Sequence, residues 1–250
     1  LRRHRQRAAS SAAAIAAAAP KFQDPSHLPL VATQIPLYNE ANVAERALRA
    51  AAAIAYPPDR HEIQVLDDSD DETRQIVDRA AAELRAEGHR IAVLRRADRT
   101  GFKAGALAAG LTQTEAKFIA IFDADFVPPR HFLRHTLPFF FADDQLGIVQ
   151  GRWGHLNGEA SMLTRAQAIG IDGHFMVEQS ARTFNGLFMN FNGTAGIWRR
   201  QAIEEAGGWS ADTLTEDLDL SYRAQLAGWG THYIAELEVP GELPLTLGAF

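Results

Sequence analysis

From Leu30 onward, short runs rich in β-branched and large apolar residues alternate with longer alanine-rich runs, and this alternation constrains the fold more than any other feature of the chain. "LVATQI" (30–35) has the length and composition of a strand, and "NVAERALRAAAAIA" (42–55) has helical spacing until Pro57 and Pro58 stop it. "EIQVLDD" (62–68) predicts a second strand, "ETRQIVDRAAAELRAEG" (72–88) a helix closed by Gly88, and "RIAVLRR" (90–96) a third strand. "KAGALAAGL" (103–111) predicts a short helix and "KFIAIFD" (117–123) a fourth strand. Strand and helix in turn at this spacing imply βαβ units, hence an α/β fold with a mostly parallel sheet covered by helices on both faces. Ligands of such sheets gather beyond the carboxyl ends of the strands. Three of those ends are polar or acidic: "PLYNE", "DDSDDET" and "DADF".

The second half is less regular. "LGIVQGRWGHLN" (146–157) predicts one or two strands, "MLTRAQAIGIDGHFMVEQSAR" (162–182) a helix interrupted by glycines, and "LFMNFNGTAGIWRR" (187–200) two short extended pieces around Gly193. Helices follow over "AIEEAGG" and "TEDLDLSYRAQLAG", then a final strand over "THYIAELEV". No internal repeat and no linker rich in Pro, Gly or Ser divides the chain, so residues 28–250 are expected to form one unit.

Composition closes off several classes. With 25 Lys and Arg against 31 Asp and Glu, the net charge of −6 gives no general attraction to nucleic acid. The absence of cysteine excludes disulfide frameworks, thiolate zinc sites and cysteine nucleophiles. No apolar run approaches the roughly 20 residues that span a bilayer. Residues 1–27 open with four arginines in seven positions and continue alanine-rich to Pro20. They fit either a juxtamembrane segment beside a membrane helix outside this chain or a solvated, partly helical tail.

Asp123 and Asp125 lie two apart on an extended segment, so both side chains can face the rim while Ala124 faces the core. Two hard oxygen donors there suit a divalent cation such as Mg2+ or Mn2+; a turn or helix cap would use the same residues. Asp67, directly after "QVL", is poorly explained by capping and could accept hydrogen bonds from a nucleobase or ribose, whereas Ser69 or Asp70 would cap the next helix. Lys103 is one of three lysines and enters a helix between Gly101 and Gly105, a place for a phosphate-binding cation or for an ordinary surface lysine. In "TLTEDLDLS", Thr215 suits an N-cap with Glu216 and Asp217 in the first turn; the crowding of carboxylates among leucines equally suits a general base with a raised pKa.

The ordered set "PLYNE", "VLDDSDDET", "GFKAGAL", "FDADF", "NGTAGIWRR" and "TEDLDLS" resembles the family 2 inverting glycosyltransferases, in particular the cellulose-synthase-like branch of bacterial β-glucan synthases and plant mannan and glucan synthases. The resemblance covers residues 29–240. It implies the GT-A fold: a mixed, mostly parallel sheet flanked by helices, with a Rossmann-like nucleotide-sugar-binding half and an acceptor half. It also implies a metal-dependent transferase using Mg2+ or Mn2+, which moves a hexose from a nucleotide sugar to a glycan acceptor with inversion, giving a β-linked polysaccharide. UDP-glucose is the expected donor, GDP-mannose the alternative. By motif, Tyr38, Glu40, Asp67 and Asp68 match donor nucleoside contacts, and Lys103 and Asp123 approach the diphosphate. Asp123 and Asp125 match the metal-holding pair and Asp217 the catalytic base. Phe191, Asn192, Gly193, Thr194 and Glu216 match the acceptor side, with Asn192 standing where cellulose synthases carry Cys.

The resemblance further implies a domain on the cytoplasmic face of the inner membrane, attached through segments missing from this chain. The family's membrane synthases carry a Q-x-x-R-W motif after T-E-D, and no such string occurs here. A domain truncated before that motif is expected to bind donor poorly and polymerise little. Rival classes have weaker motifs. "DADFV" fits the nucleophile signature of HAD-type phosphatases but follows the fourth strand rather than the first, and "PLYNE" lacks the glycines of a nicotinamide site. An inactive nucleotide-sugar-binding module would have no need of every carboxylate present.

Overall fold

The computed structural model describes residue 13, residues 15–22 and residues 24–246. The arginine-rich start of the segment expected over residues 1–27 lies outside the described residues. After two 3-10 turns (Ala19–Phe22 and Pro25–His27), the first half runs β1 (Val31–Leu37), α1 (Ala41–Ala52), β2 (His61–Asp67), α2 (Thr73–Ala86), β3 (Arg90–Leu94), α3 (Phe102–Leu111) and β4 (Phe118–Ile121). The second half continues with α4 (Phe132–Ala142), β5 (Leu146–His155), α5 (Met162–Asp172), a π-helical stretch (Gly173–Gln179), α6 (Ser180–Phe184), β6 (Gly196–Arg199), α7 (Arg200–Glu205), α8 (Glu216–Leu226) and β7 (Gly230–Gly241). Among the described residues no helix is long and apolar enough to cross a membrane.

The seven strands form one sheet in the order β3-β2-β1-β4-β6-β5-β7. β6 runs antiparallel to both of its neighbours, and the remaining pairs are parallel. The first three strands are laid outward from β1, and the chain then returns to place β4 on the other side of β1. That reversal is a topological switch point, and it opens a crevice at the carboxyl ends of β1 and β4.

β4 is apolar along its whole length because both of its faces are covered. Phe118, Ala120 and the following Phe122 pack with Phe132, Leu137 and Phe140 on one side; Ile119 and Ile121 pack with Leu107 of α3 and Leu220 and Ala224 of α8 on the other. The alanines of α1 and α2 have a packing purpose. Ala44, Ala47 and Ala51 meet Ala80 and Ala81 over Ile35, Leu37, Ile63 and Val65, so two helices share one strand pair at close range. α3 also sits low on the sheet, above the buried Gln34–Gln64 hydrogen bond of 2.9 Å. A Cβ at Gly110 would lie 2.6 Å from Gln34 Nε2 and 2.8 Å from Leu66 Cδ2, so glycine is required for that approach.

Three local expectations are corrected. The segment 162–182 is not broken at its glycines; α5 passes into the π-helical stretch at Gly173 and continues as α6. Of the two extended pieces around Gly193 only β6 pairs as a strand. Residues before it give their backbone groups to α8 instead: Met189 N–H donates to Gln225 Oε1 at 2.8 Å and its carbonyl accepts from Gln225 Nε2 at 2.9 Å. The first turn of α2 is served by Asp71, whose Oδ1 accepts from Thr73 N–H at 2.9 Å, because Ser69 and Asp70 are bonded to Asn39.

Leu107 is fully buried between α3 and the sheet, so Leu107→Ala leaves a cavity under the helix that carries Lys103. A loss of about 2–5 kcal/mol is expected from such a truncation. Urea unfolding should show it as a lower midpoint with an unchanged slope.

Candidate active site

The crevice at the switch point is a cleft of about 850 Å³. Tyr38, Asn39 and Glu40 reach it from the end of β1, Asp68 from the end of β2, Lys103 from α3, and Asp123 and Asp125 from the end of β4. The backbone around it is strained. Among the described residues the non-glycine positions with positive φ are Asn39 (56°), Phe102 (47°) and Ala195 (57°), and each adjoins a segment that supplies a site residue. Gly101, at φ +75°, and Gly105, where a Cβ would overlap the Thr100 carbonyl, make the tight entry to α3 possible.

Lys103 stands at the centre. Its Nζ lies 2.5 Å from Asp123 Oδ1 and donates to the Gly193 carbonyl at 3.1 Å. Burial alone would push the ammonium's pKa down, but Asp123, Glu216 and Asp217 outweigh it and hold the value above the ordinary lysine range. Thr194 Oγ1 accepts from Asp123 N–H at 2.8 Å, so the Gly193–Thr194 turn grips both partners of the ion pair. Gly193 has φ +77°, and a Cβ there would sit 2.9 Å from Asp217 Oδ2 and 3.2 Å from Lys103 Nζ. The lysine, the proposed base and the glycine turn therefore meet at one point. Asp217 does not line the cleft; it adjoins Lys103 over Gly193.

The carboxylates divide by environment. Burial, then the charges of Asp123 and Asp125, push Glu40 up to about 7. Burial, then Asp123, push Asp125 up to about 6. Glu216 and Asp217 are also raised, chiefly by burial, with Lys103 opposing. Thr215 occupies the N-cap position of α8 without a side-chain cap bond, and Asp217 Oδ1 instead accepts from Leu218 N–H at 2.8 Å. Its other oxygen, Oδ2, is the one beside Gly193.

The acids after β2 are held by arginines after β3, because the parallel register pairs Leu66 with Leu94 and so aligns the two following dipeptides. Asp67 is buried; Oδ2 accepts from Arg95 Nε at 2.8 Å and Oδ1 from Ser69 N–H at 3.1 Å. Asp68 is paired with Arg96 through both oxygens and is the member of the pair at the cleft. Arg99, which the motifs did not single out, also lines the cleft, with its guanidinium 3.2 Å from the centre of the Tyr38 ring. Its only signal in the sequence is a basic residue just before the glycine turn "TGFK".

On the expected acceptor side, Phe191 is buried edge-on against Trp198, with ring centres 5.2 Å apart, and presents no surface to a ligand. Asn192 is hydrogen-bonded to Gln179 and His174. Gly193 and Thr194 serve Lys103 and Asp123 as described.

Asp123 and Asp125 fit a hard cation that keeps most of its coordination for water and phosphate: two oxygen donors on one strand end, where burial and then neighbouring carboxylates raise Glu40 and Asp125. Among the described residues no group of three or more metal-ligating side chains converges into a cage.

Residues 29–249 match the family model described as Glycosyltransferase like family 2. The chain is 44% identical over 229 residues to glucomannan 4-beta-mannosyltransferase 2 of Arabidopsis thaliana, a match covering 90% of this chain and 43% of that protein. It is 41% identical over 234 residues to glucomannan 4-beta-mannosyltransferase 1 of Cyamopsis tetragonoloba, covering 92% and 44% respectively. It thus spans less than half the length of these curated relatives. Among solved structures it is similar to the mannosyltransferase PcManGT from Pyrobaculum calidifontis in complex with GDP-Man and Mn2+, with a TM-score of 0.70 and 21% identity over 96% of this chain and 68% of the other. It is also similar to S. aureus TarS 1–349 in complex with UDP-GlcNAc, with a TM-score of 0.67 and 15% identity over 88% and 60%. These structures share the GT-A fold that the motif order implied. With one family model matched along nearly its whole length, the chain belongs to the glycosyltransferase-like family 2.

Proposed function

We propose that this chain is the catalytic domain of an inverting mannosyltransferase that takes GDP-mannose as donor and extends a β-linked glycan. The convergence of Lys103, Asp123 and Asp217 on the Gly193–Thr194 turn carries the assignment, since it sets a cation suited to diphosphate beside a carboxylate suited to be the base. The motif resemblance by itself favours UDP-glucose. The mannosyl names of the curated relatives and the GDP-Man of PcManGT favour the alternative instead. Attachment to a membrane at its cytoplasmic face, implied by the resemblance to membrane synthases, belongs to the same proposal.

Tyr38, Arg99 and Asp68 hold the nucleoside, with Asp67 and its arginine supporting the turn from behind. Asp123 and Asp125 would hold a divalent cation, which when bound would supply positive charge for the departing diphosphate. Lys103, freed in part from Asp123, donates to the same diphosphate and stabilises the charge that develops there. Asp217 removes the proton from the attacking acceptor hydroxyl, and its raised affinity for protons suits that task. Attack on the anomeric carbon from the face opposite the diphosphate converts an α-linked donor into a β-linkage. Gly193, Thr194 and Glu216 stand on the acceptor side of this exchange.

Replacing Asp217 with Asn should lower the transfer rate by about 10²–10⁴-fold while leaving nucleotide affinity within twofold or so of the parent; retained turnover would remove Asp217 from the base role. In calorimetry with Mn2+, GDP should bind more tightly than UDP, and chelator should weaken GDP binding. Binding indifferent to chelator would take the cation out of the assignment, and a preference for UDP would restore the glucosyl alternative.

Glu40 supplies a pH test of the acidic cluster. Its folded-state pKa of about 7 exceeds the ordinary 4.5, so ionising it costs stability progressively as pH rises through that window and fully above it. In the absence of metal and nucleotide, Glu40→Gln should therefore raise the melting temperature little near pH 4.5 and increasingly towards pH 7 and beyond. A difference independent of pH would show that neither burial nor the neighbouring aspartates disfavour the Glu40 carboxylate.

A further inference from the structure

The π-helical stretch Gly173–Gln179 has a local consequence that α-helical winding would forbid. Positions five apart on an α-helix are turned about 140° from each other, whereas i→i+5 winding returns them to one face. His174 and Gln179 are such a pair, and both meet Asn192. Gln179, fully buried, donates from Nε2 to Asn192 Oδ1 at 2.9 Å and also to the Asn190 carbonyl. Asn192 Nδ2 lies 3.1 Å from His174 Nε2, and His174 Nδ1 lies 2.9 Å from Glu178 Oε2. One neutral tautomer satisfies both contacts, with Nδ1–H donating to Glu178 and Nε2 accepting from Asn192. Gln150, also buried, adds a weaker contact from Nε2 to Asn192 Oδ1 at 3.4 Å.

Asn192 is thus held through both ends of its amide, Oδ1 by Gln179 and Gln150 and Nδ2 by His174. The next residue in the chain is Gly193, held at φ +77°, whose carbonyl accepts from Lys103 and where a Cβ would lie 2.9 Å from Asp217 Oδ2. α8 pins the same segment from the other side through Gln225 to Met189 and Tyr222 to Asn190.

We propose that His174 and Gln179, aligned by the π-helical winding, are positioning residues that act through Asn192 and Gly193 to set Lys103 against Asp217. This rests on the roles given to Lys103 and Asp217 above. The π-helical stretch is accordingly part of the transfer machinery, although none of its side chains lines the donor cleft.

Competitive acetylation read by mass spectrometry tests the coupling without turnover, because Lys21 and Lys117, both exposed, serve as internal references in a chain with three lysines. In Gln179→Ala and His174→Ala, loss of the hydrogen bond that steadies Lys103 should raise its labelling about fivefold relative to those references. His174→Gln, which keeps an acceptor for Asn192, should stay near the parent. Where an alanine variant does not fold, Gln179→Glu makes the same comparison, since it removes the amide donor at nearly constant size. In turnover the alanine variants should lose about tenfold in kcat with donor KM little changed. An unaltered Lys103 ratio in folded variants overturns the inference. Failure of the parent chain to transfer mannose would count against the proposed function alone, because the labelling result stands without it.

Discussion

One ammonium group holds this site together. Lys103 Nζ sits 2.5 Å from Asp123 and within hydrogen-bonding distance of the Gly193 carbonyl, with Glu216 and Asp217 close enough to affect its charge. Without it, five carboxylates would be crowded into a partly buried space, where burial first and mutual repulsion second already raise Glu40 and Asp125. The contact is also the seam of the fold. Lys103 belongs to α3 of the βαβ half, Asp123 to the end of β4, and Gly193 to the irregular segment that α8 and the π-helical stretch pin in place.

The rest of the architecture makes that meeting possible. The sheet's reversal at β1 and β4 brings "PLYNE" and "DADF" side by side, and Gly110 lets α3 lie close enough for Lys103 to span the crevice. The left-handed turns at Asn39, Phe102 and Ala195 are unfavourable for non-glycine residues, and neighbouring hydrogen bonds offset them. Asn39 alone engages Ser69 through its backbone N–H and Asp70 through its side chain.

Environment, rather than residue type, separates the acids into roles. Asp67 and Asp68 are matched by Arg95 and Arg96 across the β2–β3 register and become fixed parts of the β2 carboxyl end. Glu40, Asp125 and Asp217 are buried with less compensation, and their proton affinity rises. The first group suits rigid recognition. The second suits chemistry, where a cation or a proton is to be taken up and released.

The α/β class, the first four strands and the three helices among them were legible from the sequence, because apolar periodicity and Gly and Pro punctuation are local signals. So was the placing of Asp123 and Asp125 after a strand and of Lys103 and Asp217 in first helical turns, and six motifs follow one another in family order. Tertiary structure decided which acids remain free, because Asp67 and Asp68 are paired by arginines some 28 residues away whose alignment depends on strand register. It decided that Phe191 is core and that Asn192 is bonded from below. It also decided that Arg99 lies over Tyr38, a contact between segments about 60 residues apart in the chain. Local periodicity carries no record of such distant pairings, nor of the change from α- to π-winding that turns His174 and Gln179 towards the same asparagine.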